Sequence, residues 1–223
     1  RQGAAGLTDM FAPLFTLARD PGLRLPSLLL VLYGGFISSL APYQSLLAIE
    51  HFGLRPAVYA LVLFAAALVF VCGSVTLGIL SDQRLSRQSV AYVAILCLIL
   101  GPGIVVIWPT RASFVLAHGL LVPLGGTIFG QGFALARLAC EAHPPATRPA
   151  LMAAVRALFA LPFVVVLPLW SLAFQAGAGV MWVYPVVTLV AVLMLVLIRR
   201  GWPSGAQTGW EAPKDRQGFA AAL

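Results

Sequence analysis

The chain has 223 residues, of which 61% are hydrophobic and 9% charged, and its formal net charge is +7. Soluble domains carry about 25% charged residues and are roughly half apolar. A mean hydropathy of +0.96 therefore excludes a disordered chain, a disulfide-stapled mini-protein and an ordinary soluble enzyme, and leaves an integral membrane protein. The basic residues lie in short segments between apolar runs, so the positive-inside rule explains them better than a nucleic-acid surface does.

Residues 1–24 read as an N-terminal arm. They lack the charged start, apolar stretch and small-residue cleavage site of a signal peptide, so the first long apolar run is read as a spanning helix. Residues 7–18 mix Leu, Phe and Met with Asp9 and Arg19 at the edges. Two readings stand for them: a short amphipathic helix on the membrane surface, or a loose lead-in. Six apolar runs of the length needed to cross a bilayer follow, at 25–47, 56–80, 88–108, 113–136, 149–174 and 179–198. The alternation of a barrel strand is absent. The expected architecture is an all-α bundle of six transmembrane helices over residues 25–200. Residues 201–223, polar with Pro and Gly, are expected to form a flexible tail or the start of a linker.

Orientation follows from the Lys and Arg residues. Eleven of the fourteen fall on one side: Arg1, Arg19, Arg24, Arg84, Arg87, Arg137, Arg148, Arg199, Arg200, Lys214 and Arg216. Arg55 and Arg111 fall on the other, and Arg156 lies inside the fifth run. This distribution places both termini in the cytoplasm.

Cys72, Cys97 and Cys140 lie in or beside apolar runs and read as packing residues. No Cys or His spacing suggests a metal site, and nothing calls for a cofactor. The chain lacks the Gly-x-Ser-Gly nucleophile of a rhomboid-type protease and the His-Glu-x-x-His of a metalloprotease. No filter loop or ring of charges marks a channel. An intramembrane enzyme and a non-transporting membrane scaffold remain the alternative classes.

The segment after the second run reads Gly78-Ile79-Leu80-Ser81-Asp82-Gln83-Arg84-Leu85-Ser86-Arg87-Gln88. It resembles the signature loop of the major facilitator superfamily, a pattern close to G-x-L-x-D-R-x-G-R-R between the second and third helices. Gly78, Leu80 and Asp82 match in place. Arg84 and Arg87 match if Gln83 is an insertion, while Ser86 stands where glycine is usual. The stretch Phe133-Ala134-Leu135-Ala136-Arg137 is similar to the fourth helix of bacterial sugar efflux transporters, a branch of that superfamily. Arg156-Ala157 matches an Arg-Ala pair entering the fifth helix, and Ala41-Pro42 also fits. Leu167-Pro168 departs from the Gly-Pro pair of that branch.

The resemblance implies the N-terminal half of a twelve-helix secondary transporter working by alternating access, with efflux of a sugar or other small molecule across a bacterial inner membrane as its expected work. Asp82, Arg84 and Arg87 would form a cytoplasmic gate, with Gly78 allowing close helix approach. Helices 1 and 4 line the cavity in that family, so Tyr43, Gln44 and Gln131 become cavity candidates. Helix–helix hydrogen bonding is the other reading of the two glutamines. Arg156 reads either as a cavity contact or as an arginine snorkelling to the headgroups. Gly126 and Gly130 form a GxxxG pair expected at a helix seam, and Pro162 and Pro168 are expected to bend the fifth helix. The partners implied are the lipid bilayer, a small-molecule substrate, and a missing six-helix half or a second copy, without nucleic acid.

Overall fold

The computed structural model describes residues 12–83 and 86–202, apart from the side chains of 80–83. Every element among these residues is helical. Six helices are long and apolar enough to cross a membrane: α1 (Pro21–His51), α2 (Pro56–Gln83), α3 (Arg87–Ile107), α4 (Arg111–Cys140), α5 (Arg148–Gln175) and α6 (Val180–Gly201). A short helix over residues 12–19 precedes them.

Local chemistry sets the ends. Asp20 caps α1, its Oδ1 accepting from the backbone N–H of Gly22 at 2.7 Å and of Leu23 at 3.4 Å. Pro21 follows at the first helical position, where its missing N–H costs nothing. Helix α1 therefore begins before residue 25, inside the expected arm. Ser86 caps α3 through Oγ, 3.1 Å from the Ser89 N–H. A serine at this position, where the resembling loop has glycine, thus has a local reason. Thr110 and Ser113 form a reciprocal capping box for α4. Helix α5 ends at Gly177, whose φ of +93° fits glycine. The Ala178 N–H bonds to the Ala173 carbonyl and the Gly177 N–H to the Phe174 carbonyl, both at 3.0 Å, which completes a Schellman cap.

Helix α1 is the axis of the bundle, with 61% of its apolar window buried, against 11% for α2 and 17% for α5. Helix α2 is apolar all round, so no one face is selected for the core, and lipid or a partner can cover the rest. Packing follows a regular scheme. Helix α1 lies on α5 and α4 on α2; α1 lies on α6 and α4 on α3; α1 meets α4, and α3 meets α6. Exchanging the triplet α1–α3 with α4–α6 leaves these six pairs unchanged and maps the weaker α1–α2 contact onto α4–α5, whereas the α2–α3 contact has no comparable α5–α6 partner. Three crossings separate α1 from α4, so the second triplet enters from the opposite end.

The main core joins α1, α3, α4 and α6 around Phe36, Leu98, Phe114 and Tyr184, all fully buried. A second cluster gathers Leu17 from the leading helix, Leu23 and Leu30 of α1, Ala136 and Cys140 of α4, and Leu151 and Val155 of α5. The leading helix packs on the bundle through Leu17, while its Phe15 is exposed. Residues 1–11 and 203–223, which include most of the expected tail, lie outside the described residues.

Several packing expectations are corrected. A Cβ on Gly78 or Gly130 would meet no described atom within 4 Å, so neither glycine closes a seam among the described residues. Gly126 does pack, against the Phe70 ring of α2. The tight seams lie elsewhere. Gly34 faces the Phe159 carbonyl and Pro162 on α5, Gly125 faces Leu98, and Gly132 faces Leu30. Pro168 is exposed, whereas Pro162 is buried against α1. Helix α5 runs unbroken through both prolines. The interrupted helices are α1 and α4. Helix α1 passes through a 3-10 turn at Ala41–Tyr43 and a π-turn at Leu47–His51. Helix α4 has a π-turn at Ala117–Leu121 and a break at Gly126 and Thr127. Each is the first helix of its triplet, although the interruptions fall at different distances from the helix start.

Candidate functional site

A half-open cleft of about 860 Å³ lies between α4 and α5 at the arginine-rich end. Helix periodicity builds its α4 wall. Phe129, Phe133, Arg137 and Glu141 recur every four residues, so they share one face and climb about 6 Å per step. Gly130 and Ala134 stand beside them, and their small size leaves the space open. From α5 come Met152, Arg156 and Phe159, again at one-face spacing, and Arg87 at the start of α3 reaches the same cleft.

The floor is aromatic. The Phe129 ring lies 4.9 Å from that of Phe133 and 5.0 Å from that of Phe159, both edge to face. Tyr33 of α1 holds this group to the core, with its ring 6.1 Å from Phe129 and 6.3 Å from Phe159. The rim is charged, and among the described residues three guanidiniums and the carboxylate of Glu141 line it. Arg137 and Arg156 are exposed and make no hydrogen bond or ion pair with a described residue. Arg148, outside the cleft, is tied down. Its Nε donates to the His143 carbonyl and its Nη2 to the Glu141 carbonyl, both at 2.9 Å, satisfying free carbonyls after α4.

The structure divides the sequence candidates. Arg156 lines the cleft, whereas Gln131 is half-buried and does not. Tyr43 sits at the other end of the bundle, its ring 5.1 Å from Phe174 and 6.4 Å from Trp170 on α5. Trp170 stands about 21 Å along α5 from Arg156 at the helical rise. Tyr43 and its neighbour Gln44 therefore do not share a site with Arg156 in this conformation. Of the expected gate, Arg84 and the Asp82 side chain lie outside the described residues. Arg87 is half-buried at the cleft. His118 is buried, with Nε2 3.0 Å from the Tyr184 hydroxyl and its ring stacked on Phe114. It links α4 to α6 as a packing residue.

Phe129, Phe133, Phe159 and Arg137 escaped notice as site residues. The four-residue stripe on α4 was their available signal, but its phenylalanines look like ordinary core until a neighbour is known. The fold and composition define a polytopic helical membrane protein with a basic, aromatic-floored cleft at one end. No protein-family model, curated protein or solved structure matches the chain.

Proposed function

We propose that this chain is one six-helix half of a major-facilitator-type secondary transporter that moves a small molecule by alternating access. The observation that carries the reading is the pairing scheme of the two helix triplets, which matches the inverted 3+3 repeat nested within each half of such carriers. The interruptions fall in α1 and α4, the first helix of each triplet, which supports it, since broken helices mark substrate paths in transporters. So does the cleft, which opens at one end of the bundle as half of a central cavity would. The positive-inside bias makes that end cytoplasmic. The thinly covered α2 and α5 then offer a face for the second half, supplied by another stretch of chain, a second chain or a second copy. Efflux and a sugar substrate rest on the sequence resemblance.

Transport by the single chain and by a tandem fusion of two copies tests the reading. Both ends of a six-helix bundle lie on one side, so the fusion keeps each copy's topology. Proteoliposomes bearing the fusion are expected to take up a solute from a panel of hexoses and organic anions, while the monomeric chain is inert. Equal uptake by the lone monomer would refute a half-carrier.

A further inference from the structure

We infer that the cleft between α4 and α5 binds an anionic amphiphile: a carboxylate, sulfonate or phosphate on a flat apolar body. The inference deepens the carrier reading by naming its substrate class, and it rests on that reading in taking the cleft for the substrate cavity.

Two features select this chemistry. Arg137 and Arg156 stand on facing walls of one cleft and have no partner among the described residues. Guanidinium forks match the paired oxygens of carboxylate, sulfonate or phosphate, and near a membrane their attraction to an anion is less screened than in water. Glu141 offsets one of the two charges of Arg137 and Arg156, so the balance between these walls stays cationic. Below the rim, the edge-to-face rings of Phe129, Phe133 and Phe159 offer an apolar surface that stacks on a flat ring. Gly130 and Ala134 keep the α4 wall low between them. A neutral sugar would need an array of hydrogen-bonding side chains, and among the described residues no Asn, Gln, Ser or Thr lines the cleft. The ligand class could come from water or from the bilayer, since anionic lipids carry the same group on an apolar body.

The test is binding of 2-naphthoate and of its uncharged match, 2-naphthamide, to the full chain in phosphatidylcholine nanodiscs, measured by calorimetry. The carboxylate is expected to bind at least about tenfold more tightly than the amide, the scale of one hydrogen bond to a charged group. Arg137→Gln and Arg156→Gln should each weaken naphthoate binding by about tenfold. Arg156→Lys should retain part of it, and Arg55→Gln, at the opposite end, should retain all. Both cleft arginines are exposed, so their removal leaves the core packing unchanged, and thermal unfolding of each variant verifies this. Nanodiscs with added phosphatidylglycerol separate the two sources. Displacement of naphthoate assigns the site to a lipid headgroup, unchanged binding assigns it to a soluble anion, and both results uphold the anionic class. Equal affinity for acid and amide, or binding indifferent to both glutamine variants, overturns the inference. Naphthoate binding without transport in the tandem fusion would leave it standing while removing the carrier reading. Transport of hexoses with no naphthoate binding would do the reverse.

Discussion

His143 Nε2 donates to Asp20 Oδ2 at 2.7 Å, so the loop after α4 is fastened to the cap of α1 across 123 positions of sequence. Asp20 serves two purposes at once, since its other oxygen caps the helix. The bond ties together the second core cluster, where the leading helix, α1, α4 and α5 meet. Asp20→Ala should lower stability by about 1–2 kcal/mol through loss of the cap alone. It should also release the leading helix, making Arg19 a ready tryptic site in nanodiscs. His143→Ala should make the bond after Arg19, whose side chain is already exposed, cleavable with a smaller loss of melting temperature. Wild-type resistance to trypsin in both variants would show that the fastening does not hold the arm.

Gly34 and Gly35 are neighbours in sequence with opposite surroundings. A Cβ at residue 34 would collide with the Phe159 carbonyl of α5, whereas residue 35 has nothing within 4 Å. Gly34→Val should therefore cost about 1–3 kcal/mol by forcing α1 from α5. Gly35→Ala should be neutral or stabilise by about 0.5–1 kcal/mol, because glycine is a poor helix former. Thermal unfolding in detergent decides the comparison, and equal effects at the two sites would contradict the seam.

His118 and Tyr184 join α4 to α6 through a buried bond of 3.0 Å. Tyr184→Phe should cost about 1–3 kcal/mol by stranding the imidazole. Adding His118→Phe should recover part of the loss, because neither partner then lacks a bond. A double-mutant cycle measures this coupling. Purely additive losses would count against the pair.

Asp82 is the acidic residue of the sequence motif. If it latches the cytoplasmic face of a carrier, Asp82→Asn should slow transport by the tandem fusion while membrane insertion and yield stay unchanged. Wild-type initial rates in that variant would argue against the latch.

Much of the architecture was legible because span length and hydropathy are nearly one-dimensional. A run such as 149–174 is too apolar for water and long enough for a bilayer, so a helix there needs no knowledge of neighbours. Ends were harder. Helix α1 starts at Pro21 because Asp20 caps it, and counting apolar residues does not see a cap. The cleft was legible only in part. Arg156 drew attention because a charge among apolar residues is costly, but Phe129, Phe133 and Phe159 resemble any packed phenylalanine. Gly78 and Gly130 meet no described neighbour, whereas Gly34, Gly125 and Gly132 do, because a glycine's spacing says nothing about which way its helix turns.

The sequence by itself determined that six apolar helices exist, their order, and the concentration of arginine at one end of the bundle. These follow from the cost of leaving backbone polar groups unpaired in lipid and from where charge is tolerated. Only the tertiary structure decided which helix is central, which glycines close a seam, and that Arg137 and Arg156 face a shared space over an aromatic floor. Those outcomes depend on the rotation and partner of each helix. In a chain apolar on nearly every face, hydrophobicity does not choose among them, and the fit of side chains between helices does.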